Sequence, residues 1–166
     1  MKKKIVLSCV LSVLIAAMLV FIFVMSAKTA DESNRISRSV GYRIGETFKK
    51  DFDTMTEAER IDYAESIDRP VRKSAHFLEF LILGALLYAD LRVIGAGKSQ
   101  SVVPALSAGV FFAALDEFHQ LFVPERAGLW SDVMIDSAGV VFGCAASFLL
   151  FLIVSALKPK KKNADN

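Results

Sequence analysis

Ile5 to Met25 is an unbroken run of twenty-one residues in which Ser8 and Ser12 are the strongest polar groups. A bilayer core about 30 Å thick is crossed by about 20 apolar residues in a helix. Backbone groups in lipid must bond within their own segment, which leaves little but a helix for such a run. A secretory signal peptide competes for it, because Lys2, Lys3 and Lys4 imitate a basic leader. That signal has an apolar core of about 7–15 residues and a small-x-small cleavage site. Here the run is longer, and Met25-Ser26-Ala27-Lys28 offers no clean site. Val6-Leu7-Ser8-Cys9 has the look of a lipoprotein box but lies too close to the start to have an apolar region before it. The expectation is an uncleaved transmembrane helix.

Three more apolar segments follow, roughly Ser74 to Ile94, Val102 to Phe118 and Val133 to Leu157. Their linkers are short, so successive helices must run antiparallel. Hydrophobic residues make up 54% of the 166 residues and charged ones 23%, with a mean hydropathy of +0.44. That balance excludes a disordered chain. A net charge of +2 with scattered basic residues excludes a dedicated nucleic-acid binder, which gathers its cations on one face. Cys9 and Cys144 both sit in apolar runs, so no disulfide framework or cysteine zinc site is implied. The expected fold is all-α, a polytopic membrane protein built as a four-transmembrane-helix bundle with a helical extracytoplasmic segment. Its parts are a first span (1–27), an extracytoplasmic segment (28–73), a three-helix transmembrane core (74–157) and a basic cytoplasmic tail (158–166).

Residues 28–73 hold ten basic and ten acidic side chains. Ile36, Val40, Ile44, Phe48 and Phe52 recur every four residues, which predicts one apolar stripe along a helix. Gly41 and Gly45 weaken that helix. A second short helix should start at Thr56, capped by its hydroxyl with Glu59 closing a capping box, and end near Ile67. The segment reads equally as a soluble helical hairpin or as a helix lying on the membrane surface. Orientation follows from lysine and arginine counts near the membrane. Lys2, Lys3, Lys4, Arg92, Lys98, Lys158, Lys160, Lys161 and Lys162 fall on one side with few acids among them. Both termini are therefore expected on the cytoplasmic side of the plasma membrane, with the long loop and the 119–132 loop outside.

Ionisable residues inside spans cost roughly 2.5–3.5 kcal/mol each at a helix centre, so their placement asks for a reason. Arg72, Lys73, His76 and Glu79 share one helical face at the outer start of the second span. Asp116, Glu117, His119 and Gln120 stand at the outer end of the third. Asp132 and Asp136, one turn apart, open the fourth, and Gly139 and Gly143 continue that face as a G-x-x-x-G where a neighbouring helix can approach. Arg126 lies in the loop between. In a four-helix topology the three clusters fall at one depth, and a shared pocket satisfies their charges better than three lipid-facing sites. Arg126, Arg72 and Lys73 are the natural partners of Glu79, Asp116 and Asp136. Asp90, at the other end, is expected to pair with Arg92 or to reach the interface.

The blocks Arg72-Lys73-Ser74-Ala75-His76-Phe77-Leu78-Glu79-Phe80, Asp116-Glu117-Phe118-His119-Gln120-Leu121-Phe122-Val123-Pro124-Glu125-Arg126 and Asp132-Val133-Met134-Ile135-Asp136-Ser137-Ala138-Gly139 resemble, in order, the three signature blocks of the VanZ-like family. The resemblance covers roughly Arg72 to Leu157. It implies a small four-span membrane protein of bacteria, mostly Gram-positive, in a family whose namesake is linked to resistance to the glycopeptide teicoplanin. Two positions depart from the family pattern: Glu125 stands where glycine is usual, and Asp136 where asparagine is common. The resemblance brings a phenotype without a reaction.

The cluster admits several chemistries. Polar side chains in bundles often only tie helices together, at about 0.6 kcal/mol per interhelical hydrogen bond, a reading that suits Gln120, Asp132 or Glu117 taken singly. Both histidines of the chain fall in this layer beside carboxylates, which favours a functional pocket. His76, Glu79, Asp116 and His119 can serve as acid–base residues, since histidine beside a carboxylate transfers protons near neutral pH. They also offer nitrogen and oxygen ligands of the kind zinc takes, although H-x-x-E is a weak motif, and neither a metal nor a cofactor is assigned. No G-x-S-x-G, P-loop or dinucleotide fingerprint is present. Arg72, Lys73 and Arg126, with Gln120, Asp132 and Asp136, suit an anionic ligand at headgroup level. The expected partners are membrane lipids, including a lipid-linked cell-wall precursor or a teichoic-acid lipid, and not nucleic acid. The protein is then either a binding module for such a lipid or a membrane-embedded enzyme of lipid or cell-wall metabolism. A transporter is a distant third, requiring oligomerisation through Gly139 and Gly143.

Overall fold

The computed structural model describes residues 2–157, and within them the chain is all-helical. Six α-helices run in order: α1 Lys2–Ser26, α2 Ala30–Phe48, α3 Glu57–Ser66, α4 Asp68–Ile94, α5 Val102–Gln120 and α6 Trp130–Leu157, with one 3-10 turn, Phe52–Thr54, between α2 and α3. The expected tail, 158–166, lies outside the described residues. Three helices, α1, α5 and α6, are long and apolar enough to cross a membrane.

The fourth expected span falls within α4, whose 27 residues include Arg72, Lys73, His76, Glu79, Asp90 and Arg92 and are correspondingly less apolar. α4 is the axis of the fold, packed against α1, α5 and α6 along its length and against α2 at its start. Phe80, Leu83 and Tyr88 of α4 are completely buried, and with Ile22, Ala105, Ala113, Val140 and Cys144 they form the core. Paired contacts give the directions. Gly139 and Gly143 of α6 face the carbonyls of Phe77 and Leu81 in turn, so α4 and α6 are parallel. Ser8 of α1 meets Asp90 near the end of α4, so these two are antiparallel.

The α4–α6 seam is the tightest contact. A Cβ on Gly143 would stand 1.9 Å from the Leu81 carbonyl oxygen, and one on Gly139 2.4 Å from that of Phe77. Cys144 Sγ and Ser147 Oγ then donate to the carbonyls of Gly84 and Ala85. The G-x-x-x-G face is thus filled by α4 of the same chain, which removes the surface a transporter-like oligomer would have used. Asp90 accepts from Ser8 Oγ at 2.7 Å, while the Arg92 guanidinium bonds the Ala96 carbonyl. The expected Asp90–Arg92 pair is therefore replaced by an interhelical hydrogen bond.

Local signals account for the segment between the spans. Thr29 caps α2 and Thr56 caps α3, each in a reciprocal capping box, with Glu32 and with Glu59. Despite Gly41 and Gly45, α2 is continuous. Gly45 lies against the Phe52 ring and Gly41 against α3, so their lack of a side chain serves packing. The predicted stripe holds from Ile36 to Ile44 and then splits: Phe48 is exposed and Phe52 turns inward beneath Gly45. α2 and α3 form a hairpin tied down by Arg38–Glu65 at 3.0 Å. Ser37 donating to Asp68 and Arg72 donating to Asn34 fasten it to α4.

Candidate functional site

The start of α4, the end of α5 and the start of α6 meet at one end of the bundle. There His76, Asp116 and Asp136 each offer a ligand atom, and these atoms lie within 4.8 Å of one another. The expected common depth of the three clusters is realised in this triad. Asp136 is 0% exposed and Asp116 7%. Asp116 Oδ2 is well satisfied, accepting from Ser26 Oγ at 2.8 Å and from Gln120 Nε2 at 3.0 Å. Asp136 is the opposite: both of its oxygens are buried without a hydrogen-bond partner among the described residues. His76 Nδ1 and Glu79 Oε2 are likewise unpartnered and stand 3.7 Å apart, too far for a hydrogen bond. Buried polar groups without partners are few in native structures and costly.

A polar cavity of 370 Å³ opens above the triad, lined by Arg69, Arg72, Lys73, His76, Gln120, Arg126, Asp132 and Asp136 among others. Its cations do not pair as the sequence suggested. Lys73 bonds Asp132 at 2.5 Å. Arg72 lies 3.8 Å from Asp68 and also bonds Asn34. Arg126 donates through Nε to the Lys28 carbonyl at 3.2 Å and has no carboxylate within ion-pair distance among the described residues. The expected pairing with Glu79, Asp116 and Asp136 is replaced because Asp132 of α6, Asp68 at the start of α4, Asn34 of α2 and the Lys28 carbonyl after α1 are the nearer acceptors. Burial, and then the neighbouring Arg72 guanidinium, lower the pKa of Arg126, while Asp116, Glu117 and Asp132 raise it. Arginine nevertheless stays cationic at neutral pH.

An apolar groove of 510 Å³ runs beside the cavity between α2 and α4, with Ile36, Val40, Ile44, Ile67, Val71 and Leu78 in its walls. Arg72, His76 and Arg126 line both spaces. The stripe read from the sequence is therefore the wall of this groove. Glu79 lines the groove but not the polar cavity.

His119 is not brought to the triad. Its ring lies 4.2 Å from that of Phe23, beside a 440 Å³ apolar pocket between α1 and α5 that Asp116 also borders. Glu117 closes the loop before α6 by accepting from the Leu129 N–H at 2.8 Å. In that loop Glu125 adopts a left-handed backbone with φ 64°, where its position in the motif calls for glycine. Sequence reasoning missed Ser26, Asn34 and Arg69. Ser26 was visible only as the polar residue ending the first apolar run.

These features define an all-helical membrane protein with a polar cavity, lined by basic and acidic side chains, at one end of its bundle. The chain belongs to the VanZ/LLP1 family, whose model matches residues 11–153. The match reaches back through the first span and the α2–α3 hairpin, well beyond the blocks that carry the sequence resemblance. No curated protein and no solved structure matches the chain.

Proposed function

We propose that this protein is a cell-envelope membrane protein that binds or remodels an envelope lipid or lipid-linked cell-wall precursor, and thereby contributes to tolerance of glycopeptides of the teicoplanin type. In this reading α4 is a fourth span, both termini are cytoplasmic and the cavity faces outward, as the excess of lysine and arginine on the opposite side implies. One observation carries the reading: a polar cavity and an apolar groove share Arg72, His76 and Arg126 as a common wall. A lipid has that division, with a phosphate for the arginines and a chain for the groove. Among the described residues Arg126 is engaged at Nε alone, by a neutral carbonyl, which leaves its terminal donors for the ligand.

The test is lipidomics on protein in native nanodiscs. A phosphate-bearing lipid should co-purify with the wild type and fall at least several-fold in Arg126→Ala. No such lipid in either preparation counts against the reading. A membrane-embedded enzyme is the second reading, favoured by the adjacent and otherwise unpartnered His76 and Glu79 with Asp116 beside them. His119 stands apart from that set. Loss of the phenotype in His76→Ala and Glu79→Gln, with expression and lipid binding intact, would favour the enzyme.

A further inference from the structure

His76, Asp116 and Asp136 come from three different helices, yet their ligand atoms fall within 4.8 Å of one another beside the polar cavity that His76 and Asp136 line. Asp136 is fully enclosed, with neither carboxylate oxygen hydrogen-bonded. The donors that a structural carboxylate would use are present but engaged elsewhere. Ser26 and Gln120 both bond Asp116, Lys73 bonds Asp132, and Arg72 and Arg126 turn to Asn34 and the Lys28 carbonyl. An isolated buried carboxylate is among the costliest groups a fold can hold. Two carboxyl groups and an imidazole facing one point are the donor set of a single divalent cation.

We infer that His76, Asp116 and Asp136 bind a divalent transition-metal ion of the zinc or manganese type, with Glu79 as the adjacent oxygen able to complete the set. One nitrogen and several oxygens without sulfur is a donor set that such ions accept. Zinc bonds to nitrogen and oxygen are about 2.0–2.2 Å, so ligand atoms around one ion stand roughly 3–4 Å apart, and a contraction of about an ångström closes the triad. Ser26 and Gln120 hold the second oxygen of Asp116 in place, as outer partners of metal-bound carboxylates commonly do. His76 and Asp136 also line the polar cavity, so an open coordination position would face it. The assignment does not rest on the lipid reading.

Untagged full-length protein in nanodiscs, loaded with zinc or manganese and desalted, should retain about one equivalent by elemental analysis. Retention should fall at least tenfold in Asp136→Asn and His76→Gln and persist in Arg126→Ala, which disables the proposed lipid contact instead. X-ray absorption at the zinc edge of the wild type should give a nitrogen and oxygen shell, and added metal should raise its thermal midpoint. These two measurements need no variant to fold. Wild type that retains less than a tenth of an equivalent, a sulfur-containing shell, or undiminished retention in folded Asp136→Asn would each overturn the assignment. Arg126→Ala protein that keeps its metal but loses its lipid upholds both proposals. Metal retained with no lipid in any preparation upholds this one alone.

Discussion

The two ends of the bundle treat buried polarity differently. Among the described residues at the end where α1 begins, Asp90 accepts from Ser8, Tyr88 donates to the Lys98 carbonyl and Ser101 to that of Gly97, leaving Arg92 Nε unpartnered. At the other end, His76 Nδ1, Glu79 Oε2, His119 Nδ1 and both oxygens of Asp136 stand without partners among the described residues. Helix association needs only the first arrangement. The second costs stability, and residues that break a structural rule in a cluster mark the place where a protein acts.

The seam joining the two ends should be the most sensitive part. Gly143→Ala places a Cβ 1.9 Å from the Leu81 carbonyl, and overpacking of this kind should cost about 3 kcal/mol. Thermal unfolding in detergent should show it, and a midpoint within a degree of wild type would mean that the helices are not in such contact. Next comes a pair of opposite sign. Replacing the unpartnered acid by an apolar side chain in Asp136→Leu should stabilise metal-free protein by about 2 kcal/mol, whereas Ser8→Ala at the partnered end should destabilise it by about 0.6 kcal/mol. Equal signs would dissolve the contrast. Glu125→Gly, which relieves the left-handed backbone at φ 64°, should add about 1 kcal/mol in the same assay.

The smallest effect belongs to the hairpin. Glu59 is fully exposed, and its pKa is lowered below 4.5 by hydrogen bonds from the backbone and side chain of Thr56. A group depressed in the folded state contributes stability that is present above its unfolded pKa and is lost as pH falls through the folded value. The protection of amides in the first turn of α3, taken relative to their intrinsic exchange at each pH, should therefore fall as the pH drops below about 4.5, and Glu59→Gln should abolish that dependence. Unchanged protection in the wild type over this range would remove the capping box as a source of order.

Much of this architecture was legible in the sequence because it is local. Apolar run lengths placed α1, α5 and α6, and Thr56 with Glu59 placed the start of α3. Helical steps of three and four put His76, Asp116 and Asp136 where three helix ends converge. The partners were not legible, because they depend on how helices rotate against one another. His119 lies one turn from Asp116, near enough to share a broad face, yet its ring goes to Phe23 on α1. Arg126 found a backbone carbonyl 98 residues away, and no side-chain pattern encodes an acceptor that every residue carries. Gly41 and Gly45 read as helix weakeners, although a hairpin needs gaps for α3 and Phe52.

The end of α1 and the turn after it touch the site twice, through Ser26 on Asp116 and the Lys28 carbonyl on Arg126. The rest of that helix is scarcely covered, with 6% of its most apolar stretch enclosed by the chain. An acid and a base of the site therefore depend on a helix that the rest of the fold barely grips, and a shift of that helix end would disturb both contacts at once.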